Sequence, residues 1–326
     1  MRQLAVVFNP TKVKHAKLEG IVEPAREAAG WGETLWLETA EEDPGAGMAR
    51  EAVEKGADVV LAVGGDGTIR AVAEGLRGSG VPIALAPHGT GNLLARNLEL
   101  TLDDLDKSVD AAFNGTPRPV DLGIAEWTRP NGEEEERAFV VAAGVGLDAK
   151  IMSTTDEELK KKVGMLAYVK AGLEALFTNH RMRIAYRLDD DQPERTRVHT
   201  VLIGNCGSIG GNVLLLPDAA VDDGVLDVVA ILPRGIFGWP RVAWKVLVDN
   251  WILRRTRSDF VRKNRDRSRE LSYQQCRSIE IHFHRTEEIE LDGDHFGEIS
   301  KVHVHVEEGG LLVQMPAGEE PPDPTD

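Results

Sequence analysis

Two glycine-rich segments carry the residue types that nucleotide chemistry needs, and each directly follows a run of apolar residues. The first is Gly64-Gly-Asp-Gly-Thr68 and the second is His88-Gly-Thr-Gly-Asn92. Glycine lets a phosphate approach the backbone, and the exposed N–H groups at the start of a helix attract negative charge. Two adjacent glycines alone fit a tight turn without a ligand equally well. The carboxylate of Asp66, which can hold Mg²⁺ or a proton, and the hydroxyl of Thr68 favour a phosphate site.

This predicted site differs from two familiar nucleotide-binding motifs. The chain contains no GxxxxGK[ST] sequence and therefore no P-loop. In Gly89-x-Gly91-x-x-Leu94, a leucine stands where the dinucleotide fingerprint needs its third glycine. A nicotinamide-dependent oxidoreductase is therefore the least favoured function.

Asp66, Asp292 and Asp294 are the candidates for catalytic carboxylates. Phosphoryl transfer needs Mg²⁺ to bridge the phosphates and a group that orients or deprotonates the attacking hydroxyl. Because Asp292 precedes a glycine, a hairpin turn is an alternative explanation for it. The acidic segment 222–227 offers hard oxygen ligands for a metal ion, although an ordinary β-turn explains it as well.

The elements that must position these residues follow from apolar patterning. Strands are predicted over residues 4–8, 34–38, 58–63 and 82–86, with helices over 17–29, 47–55 and 68–76. This alternation is typical of a parallel sheet covered on both faces, and it spans a first domain of residues 1–124. The two glycine-rich segments would then lie at adjacent strand ends and form one crevice, where ligands of such sheets bind.

A β-rich second domain is predicted for residues 125–306, with one helix near 157–177. Apolar and polar residues alternate over 278–284 and 301–306, which indicates half-buried strands. The same alternation makes the His-x-His pairs at 282/284 and 303/305 more typical of a solvated strand face than of a metal site. The tail, residues 317–326, is predicted to be disordered.

Composition narrows the function classes. Acidic residues outnumber basic ones by 54 to 38, and the formal net charge of -16 disfavours nucleic acid as a partner. The two cysteines, Cys206 and Cys276, lie far apart and indicate neither a disulfide framework nor a thiolate zinc site. No apolar window approaches the ~18 residues of a membrane span. A cytoplasmic protein is expected.

The two glycine-rich segments, together with Ala95-Arg96, resemble the diacylglycerol kinase catalytic-domain family of bacterial lipid kinases. Further motifs agree in the family's order: Asn9-Pro10, Asp121-Leu-Gly123, Gly144-Val-Gly-Leu-Asp-Ala149, Asn205 with Gly210-Gly211, Pro217 with Ala219, Asp223-Gly-Val-Leu-Asp227 and Leu291-Asp-Gly-Asp294. The resemblance implies an α/β ATP-binding domain and a β-sandwich that binds the lipid substrate. It also implies that residues 307–316 return to the first domain.

ATP and Mg²⁺ are the cofactors that this resemblance implies. The residues implied to surround the nucleotide are Asn9, Thr39, Gly64, Gly65, Asp66, Gly67, Thr68, Gly89, Thr90, Gly91 and Asn92. A structural Mg²⁺ is implied at Asp223 and at the backbone carbonyls of Ala220 and Val225.

The last carboxylate of the family's Asp-Gly-Glu motif resembles a proton acceptor. Here it is Asp294, which is one methylene shorter than glutamate, so Asp292 and Glu298 stay open as alternative bases. Two other positions depart from the family: Arg70 replaces the usual asparagine, and Leu93 replaces an aspartate of the second segment.

The function implied is ATP-dependent transfer of the γ-phosphate to the free hydroxyl of diacylglycerol, which gives phosphatidic acid. One alternative is an NAD kinase-like enzyme with a soluble substrate, disfavoured because residues 88–92 replace the glycine-rich segment of that group. A second alternative is a non-catalytic lipid or nucleotide sensor, motivated by Arg70, Leu93 and Asp294.

A lipid substrate requires peripheral contact with a membrane surface. The arginine-rich segments 254–257 and 262–269 form a local cationic exception, and Trp244 and Trp251 share one helical face, as in an interfacial helix. An amphipathic helix packed on its own domain explains that pattern at least as well. The expected location is the cytoplasm, with peripheral contact at the inner membrane face, and a homodimer stays open.

Overall fold

The computed structural model describes residues 1–146, 181–208, 215–216, 218–232 and 271–317. The chain divides into two compact units, one comprising Met1–Leu122 with Glu308–Asp326 and the other comprising Gly123–Glu307. Several predictions fall outside the described residues: the helix at 157–177, the tryptophan- and arginine-rich region 239–269, the motif residues 147–149, 210–211 and 217, and all but the first residue of the tail 317–326.

The first unit contains a parallel sheet with helices between its strands, as predicted. Its elements are β1 (Leu4–Phe8), α1 (His15–Ala29), β2 (Leu35–Glu38), α2 (Ala46–Glu54), β3 (Val59–Gly64), α3 (Asp66–Leu76), β4 (Ile83–Pro87), α4 (Leu93–Asn97) and α5 (Leu105–Asn114). The strand order is β2-β1-β3-β4, and Val313 near the end of the chain pairs in parallel with Ile83 of β4. Helix α3 begins two residues earlier than predicted, so Asp66 lies in its first turn.

Burial explains why these segments form strands. Every residue of β1, β3 and β4 is buried, as expected for central strands covered on both faces. One face packs against α1 and α5 through Leu18, Val22, Val109 and Phe113. Helices α2 and α3 approach closely because Gly75 has no side chain, since a Cβ there would lie 2.4 Å from the carbonyl oxygen of Ala46.

The second unit is built from antiparallel strands, which confirms the β-rich prediction. They are β5 (Thr116–Thr128), β6 (Glu134–Phe139), β7 (Ala142–Val145), β8 (Met182–Leu188), β9 (Glu194–Val198), β10 (Thr200–Gly204), β11 (Leu226–Ile231), β12 (Leu271–Cys276), β13 (Ser278–Leu291) and β14 (Asp294–Met315). The order is β12-β11-β10-β7-β13-β14; in addition β8 pairs with β13 and β9, and β5 pairs with β14 and β6. Strands β5 and β14 both continue into the first unit.

The core of the second unit is formed by the inward residues of these strands. Trp127, Phe139 and Met182 are among its large, fully buried side chains. Ile279 and Ile281 of β13 and Val302 and Val304 of β14 point into the same core, which confirms the alternation predicted for both segments.

Candidate active site

The carboxyl ends of the four parallel strands bring the predicted nucleotide residues to one edge of the first unit, here called the carboxyl edge (residues 9, 39, 64–68 and 88–92). Backbone hydrogen bonds fix this order: Thr39 N–H donates to the carbonyl of Phe8 (2.9 Å), Asn9 N–H to that of Val63 (3.1 Å), and His88 N–H to that of Gly64 (2.7 Å). The parallel register therefore assembles segments that are far apart in sequence.

The two glycine-rich loops of the carboxyl edge contact each other through glycine backbones. A Cβ on Gly89 would lie 2.8 Å from the Cα of Gly65, and a Cβ on Gly91 would lie 2.6 Å from an oxygen of Asp66. Side chains at these two positions would push the loops apart. Asn92 is buried, and its backbone has the left-handed conformation. Its side-chain amide closes the second loop by accepting from the N–H of Gly89 (2.8 Å) and donating to the carbonyl of Gly89 (3.0 Å).

Asp66 joins the first loop to the second. One oxygen of its carboxylate accepts from Asn92 N–H (2.9 Å), and the other accepts from Leu93 N–H (2.6 Å). These bonds satisfy two of the backbone donors at the start of α4, which has no preceding turn to accept them. In the structure Asp66 positions the second loop. The ligand or proton role that the sequence predicts for this carboxylate stays a prediction.

The remaining nucleotide residues occupy distinct places on the carboxyl edge. The Asn9 side-chain oxygen accepts from both the N–H and the hydroxyl of Thr11 (2.9 and 2.6 Å), and Thr39 is buried at the end of β2. Thr68 is buried against Gly64, since a Cβ added to Gly64 would lie 2.6 Å from the Cβ of Thr68. Thr90, in contrast, is exposed at the tip of the second loop.

The start of α3 offers the carboxyl edge a group of backbone amides suited to a phosphate. The first backbone amides of α3 follow Gly65, and a Cβ on Gly89 would stand 3.6 Å from the backbone nitrogen of Asp66. The glycines thus keep side chains away from amides that the helix dipole makes favourable for an anion. Gly67 adds a second residue without a side chain in that turn.

The two departures from the family pattern have different surroundings. Leu93 contributes only its backbone N–H to the bond with Asp66, a donor that any residue except proline supplies, so its side chain does not affect the link between the loops. Arg70 is buried in α3, and its guanidinium stands 3.8 Å from the carboxylate of Glu74.

In the second unit, Asp292 serves the backbone. Its carboxylate is buried and accepts from the N–H groups of Val140 (2.9 Å), Val141 (2.8 Å) and Ala142 (2.9 Å). Asp292 itself has a positive φ of 50° in the β13–β14 turn. A carboxylate that holds three amides in a buried place is ill suited to exchange protons with a substrate. The buried thiol of Cys206 nearby has a raised pKa, through burial first and then the charge of Asp292.

Asp294 differs from Asp292 in exposure. It begins β14 opposite Leu291 and is only half-buried. The other alternative base, Glu298, is exposed, and one of its oxygens accepts from the hydroxyl of Thr286 (2.8 Å). Of the three carboxylates that the sequence left open as bases, Asp294 and Glu298 are therefore accessible and Asp292 is not.

A buried pair beside this turn was missed by the sequence analysis. Glu290 of β13 is only 4% exposed, and its carboxylate stands 3.0 Å from Nδ1 of His295 on β14. Burial raises the pKa of Glu290 above its usual range, while the positive charge of His295 opposes the shift. A sequence signal for this pair exists. Glu290 and His295 flank the Leu291-Asp-Gly-Asp294 hairpin, so the two residues face each other across its strands.

The predicted structural Mg²⁺ residues lie on an exposed turn before β11. Asp223 Oδ1 accepts from Val225 N–H (3.2 Å), Gly224 has a φ of 72°, and Ala220 is exposed. Carboxylate and carbonyl oxygens are the ligands that Mg²⁺ takes. The oxygen ligands that this turn offers, the carboxylate of Asp223 and the backbone carbonyls of Ala220 and Val225, are therefore of the type that suits a hard cation.

Comparisons with known proteins agree with this arrangement. Residues 3–125 match the diacylglycerol kinase catalytic domain, and residues 140–239 match the YegS C-terminal NAD kinase beta sandwich-like domain. A diacylglycerol kinase of Bacillus subtilis is 25% identical over 301 residues, which is 91% of each chain. A probable YegS-like lipid kinase of Pseudomonas aeruginosa is 34% identical over 234 residues, covering 71% of this chain and 72% of the relative.

Solved structures share the fold. A putative diacylglycerol kinase from Bacillus anthracis superposes with a TM-score of 0.73 at 20% identity, covering 97% of this chain and 96% of that one. Yeast NADH kinase follows with a TM-score of 0.58 at 9% identity, covering 98% and 84%. With the fold, both domain matches and the paired loops in agreement, this chain belongs to the diacylglycerol kinase catalytic-domain family of lipid kinases, which is related to the NAD kinases.

Proposed function

We propose that this lipid kinase transfers the γ-phosphate of ATP to the free hydroxyl of diacylglycerol, giving phosphatidic acid and ADP. The observation that carries the proposal is the pair of glycine loops that Asp66 ties together beside the first amides of α3. Such an arrangement suits a nucleoside triphosphate, and two relatives carry the names diacylglycerol kinase and probable YegS-like lipid kinase.

The roles of the residues follow from their contacts. The α3 amides bind phosphate oxygens, while Asp66, Gly65 and Gly89 hold the loops in register. Asp294 accepts the proton of the lipid hydroxyl. At the same time the hydroxyl oxygen bonds to the γ-phosphorus of ATP, and the bond between that phosphorus and ADP breaks. Asp292 is a positioning residue that anchors the turn carrying Asp294 to residues 140–142.

Magnesium is the cation proposed to accompany ATP, where it supplies charge neutralisation of the phosphates. A separate structural Mg²⁺ is proposed at Asp223 with the carbonyls of Ala220 and Val225. Oxygen-only ligands and an exposed turn support that choice.

The lipid is proposed to be taken from a membrane surface by peripheral contact. None of the helices in the described part of the chain is long and apolar enough to cross a bilayer. The tryptophan- and arginine-rich region 239–269, which the sequence analysis marked for this contact, lies outside the described residues.

A soluble nucleotide substrate is the second candidate. The match of residues 140–239 to an NAD kinase beta sandwich-like domain and the fold likeness to yeast NADH kinase favour it. Residues 88–92 argue for the lipid kinases instead, because their sequence follows that family.

An acceptor panel tests the proposal. Purified protein is given ATP labelled at the γ-phosphate, Mg²⁺, and in separate reactions diacylglycerol, monoacylglycerol or a sphingoid base in mixed micelles, NAD in buffer, or no acceptor. We expect labelled phosphatidic acid from diacylglycerol at a rate well above the other reactions. Preferential labelling of NAD would replace the proposal with the second candidate, and labelling of another lipid alone would correct the substrate.

A further inference from the structure

Two histidines and a glutamate of the second unit face one another on neighbouring strands. His303 and His305 lie on β14 and Glu126 lies on β5. The Nδ1 atom of His303 is 3.6 Å from one oxygen of Glu126, and that of His305 is 3.7 Å from the other. One ligand atom from each residue lies within 4.8 Å of the other two. We call this group the Glu126 cluster.

The alternation of buried and outward residues on the two strands contributes to this juxtaposition. Val302 and Val304 are buried in the core, so His303 and His305 must point to the opposite face of β14. Ala125 and Trp127 are buried as well, so Glu126 points outward from β5, which pairs with β14. The alternation around this His-x-His pair indicates a solvated strand face, and nothing in that local pattern reveals the glutamate of the adjacent strand.

Glu126 lies within ion-pair range of both imidazoles but beyond hydrogen-bond distance of their Nδ1 atoms. Distances of 3.6 and 3.7 Å are too long for hydrogen bonds between imidazole nitrogen and carboxylate oxygen. The two imidazole rings stack with their centroids 5.4 Å apart and an angle of 26° between their planes, and the Nδ1 atom of each ring faces the Glu126 carboxylate. An ion seated among the three side chains would use all three.

From this geometry we infer that the Glu126 cluster is a binding site for a divalent transition-metal cation of the Zn²⁺ class. Imidazole nitrogen is a preferred ligand of such cations, whereas Mg²⁺ prefers oxygen. Bond lengths of about 2.0–2.2 Å in a tetrahedral site place ligand atoms roughly 3.3 Å apart, so small side-chain rotations close the cluster. Three protein ligands leave the fourth position to water.

The protein carries its own matched control, the His-x-His pair on β13. His282 and His284 have the same spacing, but the carboxylate facing them is already neutralised: Glu280 contacts His282 (3.3 Å), Arg187 (2.9 Å) and Lys301. A register shift also follows His282 in the pairing of β13 with β14. Adjacent cations and irregular backbone make this pair a poor metal site.

A cation in the Glu126 cluster would join β5 to β14, the two strands that continue from the second unit into the first. An ion that binds the folded chain and not the unfolded one raises the unfolding temperature.

The test is titration of the full-length, chelator-treated protein with Co²⁺ at a pH of about 8, followed by visible absorption and thermal unfolding. We expect about one ion per chain, unaffected by excess Mg²⁺, and a higher unfolding temperature. His303→Ala and Glu126→Gln should each weaken binding by more than about tenfold, whereas His282→Ala should not change it. Wild-type protein that takes up no Co²⁺, or a His282→Ala loss equal to that of His303→Ala, would overturn the inference.

Discussion

The carboxylates of Asp66 and Asp292 accept hydrogen bonds from backbone N–H groups, two for Asp66 and three for Asp292. The partners lie 26–27 residues away for Asp66 and 150–152 residues away for Asp292. Sequence identifies both as motif aspartates, but a carboxylate that binds a ligand and one that binds distant backbone have the same local pattern. The sequence therefore predicted which aspartates belong to the site, whereas the backbone contacts of each become visible only in the tertiary structure.

Removing charge at Asp292 tests its positioning role. In Asp292→Asn one acceptor oxygen is replaced by an NH₂ group that faces the amides of residues 140–142, so we expect a loss of about 3 kcal/mol in the free energy of unfolding. Urea denaturation measures it. The same change at the exposed Asp190 should cost less than about 0.5 kcal/mol. Equal stabilities for the two variants would rule out the role.

Glycine contact between the loops gives a second prediction. In Gly89→Ala the new methyl group would sit 2.8 Å from the Cα of Gly65, so the loops must separate and we expect kcat/KM for ATP to fall by about 100-fold. Gly20→Ala is the control, because nothing lies within 4 Å of its Cβ position in α1. That variant should keep its activity and gain about 1 kcal/mol of stability. Normal kinetics in Gly89→Ala would argue against the loop contact.

At the level of elements, strands β1, β3 and β4 were predictable from the sequence. Each is a short, continuous run of apolar residues, which is typical of a strand buried on both faces of a parallel sheet. Strand β14 was not predictable in this way, since it extends over 22 residues and includes the polar run 307–310. Pairing with β5 maintains that stretch, and Gly309 N–H donates to the carboxylate of Asp121 (2.7 Å). These partners lie far away in sequence, so the local pattern predicted only the part over 301–306.

A charged ladder across β8, β13 and β14 gives a pH-dependent prediction. A hydrogen bond from Lys301, with the charges of Lys301, His282 and Arg187, lowers the pKa of Glu280 to about 2. The folded pKa lies below the unfolded value, so Glu280 stabilises the fold above about pH 4.5 and loses this effect as the pH falls towards 2.

Glu280→Gln should therefore reduce the free energy of unfolding by about 1 kcal/mol at neutral pH, with a smaller difference from wild type in more acid solution. Urea denaturation between about pH 6 and pH 3 measures the trend. The exposed Glu41→Gln serves as the control and should show no such trend. If the loss of unfolding free energy in Glu280→Gln stays constant over this pH range, the lowered pKa of Glu280 does not contribute to stability and the prediction is wrong.

At the scale of the whole molecule, the resemblance carried by the motif series predicted the class of enzyme, and the matches to both domains confirm it. Neither the motifs nor the described part of the structure contains an equally specific mark for the lipid. Enzymes that act on lipids select the acceptor by the shape of a pocket, to which many side chains contribute weakly, so no short motif identifies it. The Glu126 cluster was invisible to the sequence for a related reason, since its ligands come from two strands.

The most direct test of the account is the transfer of labelled γ-phosphate from ATP to diacylglycerol in mixed micelles by wild-type protein and by Asp294→Asn. We predict labelled phosphatidic acid from the wild type and a kcat at least about 100-fold lower from the folded variant, because the proton acceptor is lost. Near-normal kcat in Asp294→Asn would move the base to Glu298. A folded wild-type protein that binds ATP and labels no lipid would contradict the central claim.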